Sequence, residues 1–261
     1  MTIKGCLLLG TVTLSGLFWW WQSNRFVPQE PTVVSEKQEP VVVESREPVV
    51  VKKEELLPEP KPLPVSWLIS PVPFTVQAPF GEWSDPVFQD ACEEASMIMA
   101  EAWATGETLT KESAKAKIQA LATFQKKKFG HAVDTSIQDT AWLLNEYFHV
   151  FGTVRTSIEK EDIKRALSEN RLVIVPTDGR KLKNPNFTQP GPPRHMLVIV
   201  GYDDMTREFI TNDPGTRKGE GYRYSQDVLY EAILDYPTGR HLPVTSSDKV
   251  MLTVGEDAAL P

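Results

Sequence analysis

The sequence predicts an α+β domain made of two unlike halves, with helices first and an antiparallel sheet second. Apolar residues recur at three- and four-residue spacing between about residues 92 and 170, as they do in amphipathic helices. Short apolar runs bounded by turn residues follow between about 171 and 254, as in buried strands. The first quarter of the 261-residue chain lacks both patterns, so the domain is assigned to residues 65–261.

Residues 1–26 are predicted to be a membrane anchor. Residues 5–21, GCLLLGTVTLSGLFWWW, form an uncharged run of 17 residues, the lower limit for crossing a bilayer, and the tryptophans are typical of a membrane interface. Lys4 precedes the run and Arg25 follows it, which favours a cytoplasmic N-terminus and an extracytoplasmic domain. The expected location is the cell membrane, crossed once. The alternative is secretion after signal cleavage, although secretory signals usually have shorter apolar regions.

Residues 27–64 are predicted to be an extracytoplasmic linker. They are rich in Pro, Glu, Val and Lys and contain a near-repeat of Glu-Pro-Val-Val. Prolines oppose regular strand pairing and favour extended polyproline II segments, so the linker is expected to act as a semi-rigid spacer. Short strands formed by the valines are the alternative, because valine is a β-former.

The first part of the domain is predicted to be extended and then helical. Residues 65–83 contain three prolines, which oppose a helix and favour an entry segment with one or two short strands. A helix is predicted to begin at Cys92 and to end at Gly106, because apolar residues recur between them at helical spacing. Three further helices are predicted from Thr110 to Phe129, from Ser136 to His149 and from Ile158 to Asn170. The apolar face of the second of these is assigned to Ile137, Trp142, Leu143 and Phe148.

The second part is predicted to contain four strands and one late helix. The strands are assigned to Arg171–Pro176, His195–Tyr202, Glu208–Asn212 and Lys249–Val254, and the helix to Tyr224–Tyr236. Residues 177–193 form a long loop rich in Pro, Gly and Asn between the first two strands. Long loops in compact domains are often functional, so this one is expected to shape access to a substrate cleft.

Composition argues against several classes of partner and cofactor. The net charge of -7 disfavours nucleic acid, since phosphate binding needs a basic face. The sequence shows no ligand pair at zinc-like spacing and no glycine-rich phosphate loop, so neither a metal nor a cofactor is expected.

Cys6 lies in the predicted anchor, which leaves Cys92 unpaired in a compartment where cysteines normally form disulfides. Such a leftover thiol indicates a functional role.

Cys92 is the candidate nucleophile. At the start of a helix, unpaired backbone N–H groups and the helix dipole favour a thiolate and lower the thiol pKa. Glu93 and Glu94 lie close enough to oppose a thiolate, so the net effect on the pKa stays open. The alternative is a structural role, because a free cysteine is usually buried as a small apolar filler.

A nucleophilic thiol needs a base and a group that orients the base. His195 opens a predicted buried strand after a loop, which places its side chain over a cleft, whereas His241 lies in a late loop. Asp213 closes the next predicted strand, and a hairpin through residues 203–206 would bring the two together. Asn212 is a rival orienting group, but alternate residues face opposite sides of a strand. The alternative for Asp213 is that it only caps a turn.

Four short motifs occur in a fixed order along the domain. They are QAPFGEW from Gln77, ACEEAS around Cys92, RHMLVIVGYD around His195 and NDPG around Asp213. Together they resemble the stand-alone branch of cysteine peptidase family 39, which is related to the papain-like double-glycine leader peptidases. The resemblance covers about residues 72–254. It implies a papain-like cysteine proteinase fold, whose helical half carries the cysteine and whose antiparallel half carries the histidine and the aspartate.

The resemblance also implies roles for individual residues. Cys92 is implied as nucleophile, His195 as general base and then acid, and Asp213 as the group that orients the histidine. Gln77, which the residue pattern alone would make a surface amide, is implied to donate to the oxyanion together with the backbone N–H of Cys92. Gln89 is nearer in sequence to the cysteine and is a rival for that role.

The sequence departs from the leader peptidases beside the nucleophile, with Ala91-Cys92-Glu93 where they have Asp-Cys-Gly. Double-glycine specificity is therefore not predicted. The expected function is hydrolysis of peptide bonds in a peptide or protein substrate by a membrane-tethered, outward-facing enzyme. Two alternatives stay open. One is a cell-wall peptide amidase or acyl transferase with the same residues, and the other is an inactive peptide-binding module.

Overall fold

A computed structural model of the chain describes residues 61–255. The predicted anchor, and the predicted linker up to residue 60, lie outside the described residues, so the assignments made for them stay predictions. Between residues 61 and 255, no helix is both long enough and apolar enough to cross a bilayer.

The described residues form six helices and seven strands. In chain order they are β1 (Ser66–Leu68), α1 (Pro86–Gln89), α2 (Cys92–Thr105), α3 (Lys111–Phe129), α4 (Ile137–Phe148), β2 (Gly152–Thr156), α5 (Lys160–Ser168), β3 (Leu172–Thr177), β4 (His195–Asp203), β5 (Glu208–Asn212), β6 (Tyr222–Ser225), α6 (Gln226–Ala232) and β7 (Val250–Val254). Most helices precede most strands, and the paired strands run antiparallel. This arrangement confirms the predicted α+β class.

The strands form one sheet in the order β2-β7-β3-β4-β5-β6, and β1 pairs with the C-terminal part of β4. All of β3 is buried, as is all of β4 except its last residue. Strands covered on both faces have continuous apolar sequences, which is why LVIV and MLVIV predicted them correctly. Strand β4 therefore lies inside the sheet, held by β1, β3 and β5.

Helix α2 begins after Ala91 and packs on β4 and α3. Gly106 ends it in the left-handed conformation, with a φ of 75°, which glycine adopts without strain. Every residue from Cys92 to Ala102 is buried, the glutamates included. Burial on all sides is typical of a central helix, so the glutamates at its start do not form a solvated face.

The late helix predicted at Tyr224–Tyr236 is wrong at both ends. Residues 222–225 form strand β6, which pairs with β5, and helix α6 covers only residues 226–232. Tyr224 is buried between two exposed neighbours, an alternation that is too short to be recognised in the sequence. The sequence patterns also do not predict α1 and β2, which are four and five residues long.

The apolar face predicted for α4 is wrong at one position. Ile137 and Leu143 are buried as predicted, but Trp142 is 36 % exposed and stacks on Phe124 of α3. Lys128 lies over the indole ring, 5.3 Å from its centroid. The tryptophan therefore belongs to a surface aromatic cluster between α3 and α4. The other predicted helices and strands are confirmed within two residues at each end.

Candidate active site

Cys92 is the first residue of α2 and lies on the wall of a cavity of about 700 Å³. It is only 7 % exposed. Its Sγ donates a hydrogen bond to Oε2 of Glu93 at 3.0 Å, and it accepts one from the backbone N–H of Met196 on β4. The thiol is therefore enclosed between its own helix and the strand that begins at His195.

Burial and the neighbouring groups decide the pKa of the Cys92 thiol. Burial raises the pKa most, and the charge of Glu93, the hydrogen bond to its carboxylate and the charge of Glu94 raise it further. The N–H of Met196 favours the thiolate but does not offset them, so the pKa lies well above its ordinary value. The sequence left open whether the helix start or the glutamates would prevail. The structure decides for burial and Glu93.

His195 and Asp213 form a buried pair, with Nε2 of the imidazole 2.8 Å from Oδ1 of the carboxylate. Strands β4 and β5 form the hairpin predicted from the sequence, with Val198 opposite Asn212. In an antiparallel hairpin the start of the first strand lies beside the end of the second, which brings the pair together. Because Nε2 faces the carboxylate, Nδ1 is the ring nitrogen left for a proton transfer.

The carboxylate of Asp213 has further donors. Tyr224 donates from its hydroxyl to Oδ2 at 2.5 Å, and the backbone N–H of Gly215 donates to Oδ1 at 2.9 Å. Burial raises the pKa of Asp213, but the charge of His195 and these hydrogen bonds outweigh it, so the pKa lies below its ordinary value. The bond from Gly215 also caps the turn, so the same carboxylate bonds both the imidazole and the turn. The sequence patterns do not identify Tyr224 as a partner of Asp213. The only sequence signal for it is that tyrosines alternate at positions 222 and 224.

The turn after Asp213 fits tightly around the imidazole of His195. A Cβ atom on Gly215 would lie 2.9 Å from Cε1 of that ring, and the Phe187 ring packs edge-on against it at 5.2 Å between centroids. The backbone N–H of Asp213 donates to the carbonyl oxygen of Gly219 at 2.9 Å, and a Cβ atom on Gly219 would lie 1.8 Å from the Asp213 carbonyl oxygen. Only glycine fits at these two positions, so the turn holds the ring in one orientation.

Gln77 lies on the same cavity wall and connects three segments. Its Nε2 donates to the carbonyl oxygens of Phe88 at 3.1 Å and Gln89 at 2.7 Å, and its backbone N–H donates to the carbonyl oxygen of Pro214 at 3.0 Å. Both side-chain N–H bonds are thus directed at α1. Gln89 also lines the cavity, and within residues 61–255 its side-chain amide has no hydrogen-bond partner. The choice between the two glutamines as oxyanion donor stays open.

Two other candidates have clear positions. Asn212 bonds Val72 and Gly221 rather than the imidazole, as expected from strand alternation. His241 faces the cavity and is paired through Nδ1 with Asp134 at 3.0 Å, a contact across 107 residues that sequence reasoning missed. Over the range 61–255, no three His, Cys, Asp or Glu side chains are arranged to hold a metal ion.

The comparison with solved structures finds only distant similarity. A crystal structure of a C39-like peptidase from Bacillus anthracis is 15 % identical, covers 74 % of this chain and 98 % of its own, and has a TM-score of 0.46. Xylellain, a cysteine protease from Xylella fastidiosa, is 12 % identical, covers 74 % of this chain and 86 % of its own, and has a TM-score of 0.37. No curated protein matches the sequence.

The family comparison is decisive for the fold. The model of the Peptidase_C39 like family matches residues 69–237, which is more than half of the chain and includes all four motifs. The match confirms the resemblance and the papain-like cysteine peptidase fold expected from it. The chain belongs to the Peptidase_C39 like family.

Proposed function

We propose that the chain is a membrane-tethered, extracytoplasmic cysteine peptidase that hydrolyses peptide bonds through an acyl-enzyme. Membership of a cysteine peptidase family supports the reaction class. The observation that carries the proposal is the buried pair of His195 and Asp213, in which His195 lines the same cavity as Cys92. The apolar run at residues 5–21 supports the tether, and the charges that flank it support the orientation.

The first step is attack by sulfur on the substrate carbonyl carbon. Nδ1 of His195 takes the thiol proton of Cys92, and the carbon–sulfur bond forms as the carbonyl oxygen becomes an oxyanion. Asp213 accepts from Nε2 and stabilises the positive charge on the ring. Its lowered pKa suits this role, because the carboxylate stays ionised while the ring takes up a proton.

The oxyanion needs donors that are already in place. The backbone N–H of Cys92 is one, because the first N–H groups of a helix have no partner within the helix. Gln77 is the proposed second donor. The side-chain N–H that donates to Phe88, the longer of its two hydrogen bonds, would donate to the oxyanion as well. Its ties to α1 and Pro214 support this role, since they fix the amide before the substrate binds.

The second half of the reaction returns the enzyme to its starting state. The protonated His195 gives its proton to the leaving amine, which breaks the peptide bond and leaves a thioester on Cys92. Water then attacks the thioester, with His195 as base, and the proton returns to sulfur as the acid product leaves. The open cavity of about 700 Å³ and the loop beside it suit a peptide or protein substrate.

The decisive experiment compares the full-length chain in mild detergent with its Cys92→Ala form on a panel of substrates. The panel contains unfolded proteins, short peptides and isolated cell-wall peptidoglycan. We expect the unmodified chain to cleave amide bonds in at least one of these and the variant to cleave none. Equal cleavage by both forms would mean that Cys92 is not the nucleophile. Release of stem peptides from peptidoglycan alone would assign the chain to the amidases.

A separate experiment tests the tether. Deleting residues 5–21 should move the protein from the membrane fraction to the soluble fraction. Protease added to spheroplasts, from which the outer layers of the cell envelope have been removed, should digest the domain of the undeleted chain. Recovery of both forms in the soluble fraction, or protection of the domain from the protease, would refute the proposed location.

A further inference from the structure

Glu93 is a buried carboxylate in direct contact with the proposed nucleophile. It follows Cys92 in the first turn of α2 and is only 2 % exposed. Its Oε2 accepts the hydrogen bond of the thiol at 3.0 Å. Carboxylates are almost never fully buried without partners, so the other groups that hold Glu93 indicate its role.

Two more donors hold this carboxylate from distant parts of the chain. The hydroxyl of Tyr236 donates to Oε1 at 2.8 Å, and the backbone N–H of Thr135 donates to the same atom at 3.4 Å. Burial raises the pKa of Glu93, although hydrogen bonds from Cys92 and Tyr236 act against the rise. In all three contacts the carboxylate of Glu93 accepts a hydrogen bond, which is the pattern of an ionised carboxylate.

We propose that Glu93 is a positioning residue that holds the proton of the Cys92 thiol, so that the free enzyme rests as a neutral thiol. This inference rests on the proposed function, in which the thiol gives that proton to His195 as the sulfur attacks. The proton stays on sulfur because a thiolate and a carboxylate would otherwise face each other at hydrogen-bond distance in a buried site. During attack the proton moves from sulfur to Nδ1, while Glu93 keeps its charge.

The other charged groups around the thiol raise its pKa less than Glu93 does. The titratable and charged residues that face the cavity or Glu93 are Asp90, Glu94, Asp134, Arg194, His195, Arg217, Lys218, Tyr236 and His241. Asp134 is paired with Arg194 and His241. Burial raises the pKa of Glu94 to about 8, and Glu94 raises the thiol pKa less than Glu93 does. Glu93 is therefore the carboxylate that acts most strongly on the sulfur.

The test measures how fast iodoacetamide alkylates Cys92 in the full-length chain across the neutral pH range. Mass spectrometry of the peptide that contains Cys92 separates this thiol from Cys6. Glu93→Gln keeps the side-chain size and an acceptor for Tyr236 but removes the charge. We expect alkylation at neutral pH to become about tenfold faster or more, since one unit of thiol pKa changes the thiolate fraction about tenfold.

Glu94→Gln is the matched control. Glu94 is the next residue and is equally buried, but it bonds Gln125 rather than the thiol. We expect its effect on alkylation to be far smaller. Glu93→Ala is the second variant, for use if Glu93→Gln folds poorly. It removes the same charge and should change the alkylation rate in the same direction.

The outcomes separate this inference from the proposed function. If both folded variants of Glu93 are alkylated with the pH profile of the unmodified chain, the inference is wrong. Peptide hydrolysis is measured in parallel. Suppose that the Glu93 variants show a shifted alkylation profile but the unmodified chain hydrolyses no peptide. That result would reject the peptidase activity and keep the role of Glu93 in holding the proton.

Discussion

Replacing Tyr224 with phenylalanine removes one hydroxyl and tests whether Asp213 is ionised in the folded protein. The hydroxyl donates to Oδ2 of Asp213 at 2.5 Å and accepts from Nδ2 of Asn184 at 2.7 Å. A hydrogen bond to a charged group contributes about 1.5–3 kcal/mol, and a neutral one contributes about 1 kcal/mol. We therefore expect Tyr224→Phe to lower the free energy of unfolding by roughly 3 kcal/mol at neutral pH.

Part of this loss should depend on pH. Without the hydroxyl, the pKa of Asp213 rises towards its ordinary value, because one bond that favours the ionised form is gone. The pKa of Asp213 is lower in the folded than in the unfolded protein. Its contribution to stability is therefore complete above the unfolded value of about 3.9 and is lost as the pH falls through the folded value. The stability difference between the two proteins should be constant down to about pH 5 and shrink below about pH 4.

Urea unfolding followed by circular dichroism, repeated across this pH range, measures the difference. Tyr222→Phe is the matched control, because Tyr222 neighbours Tyr224 on β6, with 4.7 Å between ring centroids. Its hydroxyl has no hydrogen-bond partner within the described part of the chain, so the change should stay within about 0.5 kcal/mol. A loss for Tyr224→Phe that is the same at every pH would refute the reasoning, since the hydroxyl would then not be bonded to an ionised carboxylate.

Three further changes test other parts of the site. Asp213→Asn should lower kcat by about 100-fold or more and change KM little, because an amide does not stabilise a charged imidazole. Steady-state kinetics measures both constants, and an unchanged kcat would contradict this role of Asp213. Gln77→Ala should lower kcat by about 100- to 1000-fold, and a loss confined to Gln89→Ala would transfer the oxyanion role to that residue. Gly219→Ala should lower the free energy of unfolding by roughly 3 kcal/mol or more. The added Cβ atom would lie 1.8 Å from the Asp213 carbonyl oxygen, so an unchanged urea midpoint would rule out this turn geometry.

The pair of His195 and Asp213 could be predicted because its signals are local. Strands β4 and β5 are visible as apolar runs, and the few residues between them predict a hairpin. In a hairpin, the turn fixes which residues lie side by side. A separation of 18 residues therefore becomes a contact of 2.8 Å.

The partners of the buried acids could not be predicted in the same way. Glu93 meets Tyr236 across 143 residues, and Asp134 meets His241 across 107 residues. Nothing in the sequence near these residues marks the contacts, because no strand pairing or helical period connects the segments. Two glutamates at the start of a helix also fit a solvated first turn equally well. Only the packing of α2 between the sheet and α3 shows that Glu93 is enclosed.

The entry segment limits how far the chain can be shortened for crystallisation. Strand β1 is part of the sheet through β4, and Gln77 ties α1 to the residue that follows Asp213. A version that lacks residues 5–21 therefore has to begin before Ser66. A version trimmed to the start of α2 would retain the sulfur, the imidazole and the carboxylate. It would lose strand β1 and the hydrogen bonds of Gln77, which hold the segments around these groups in place.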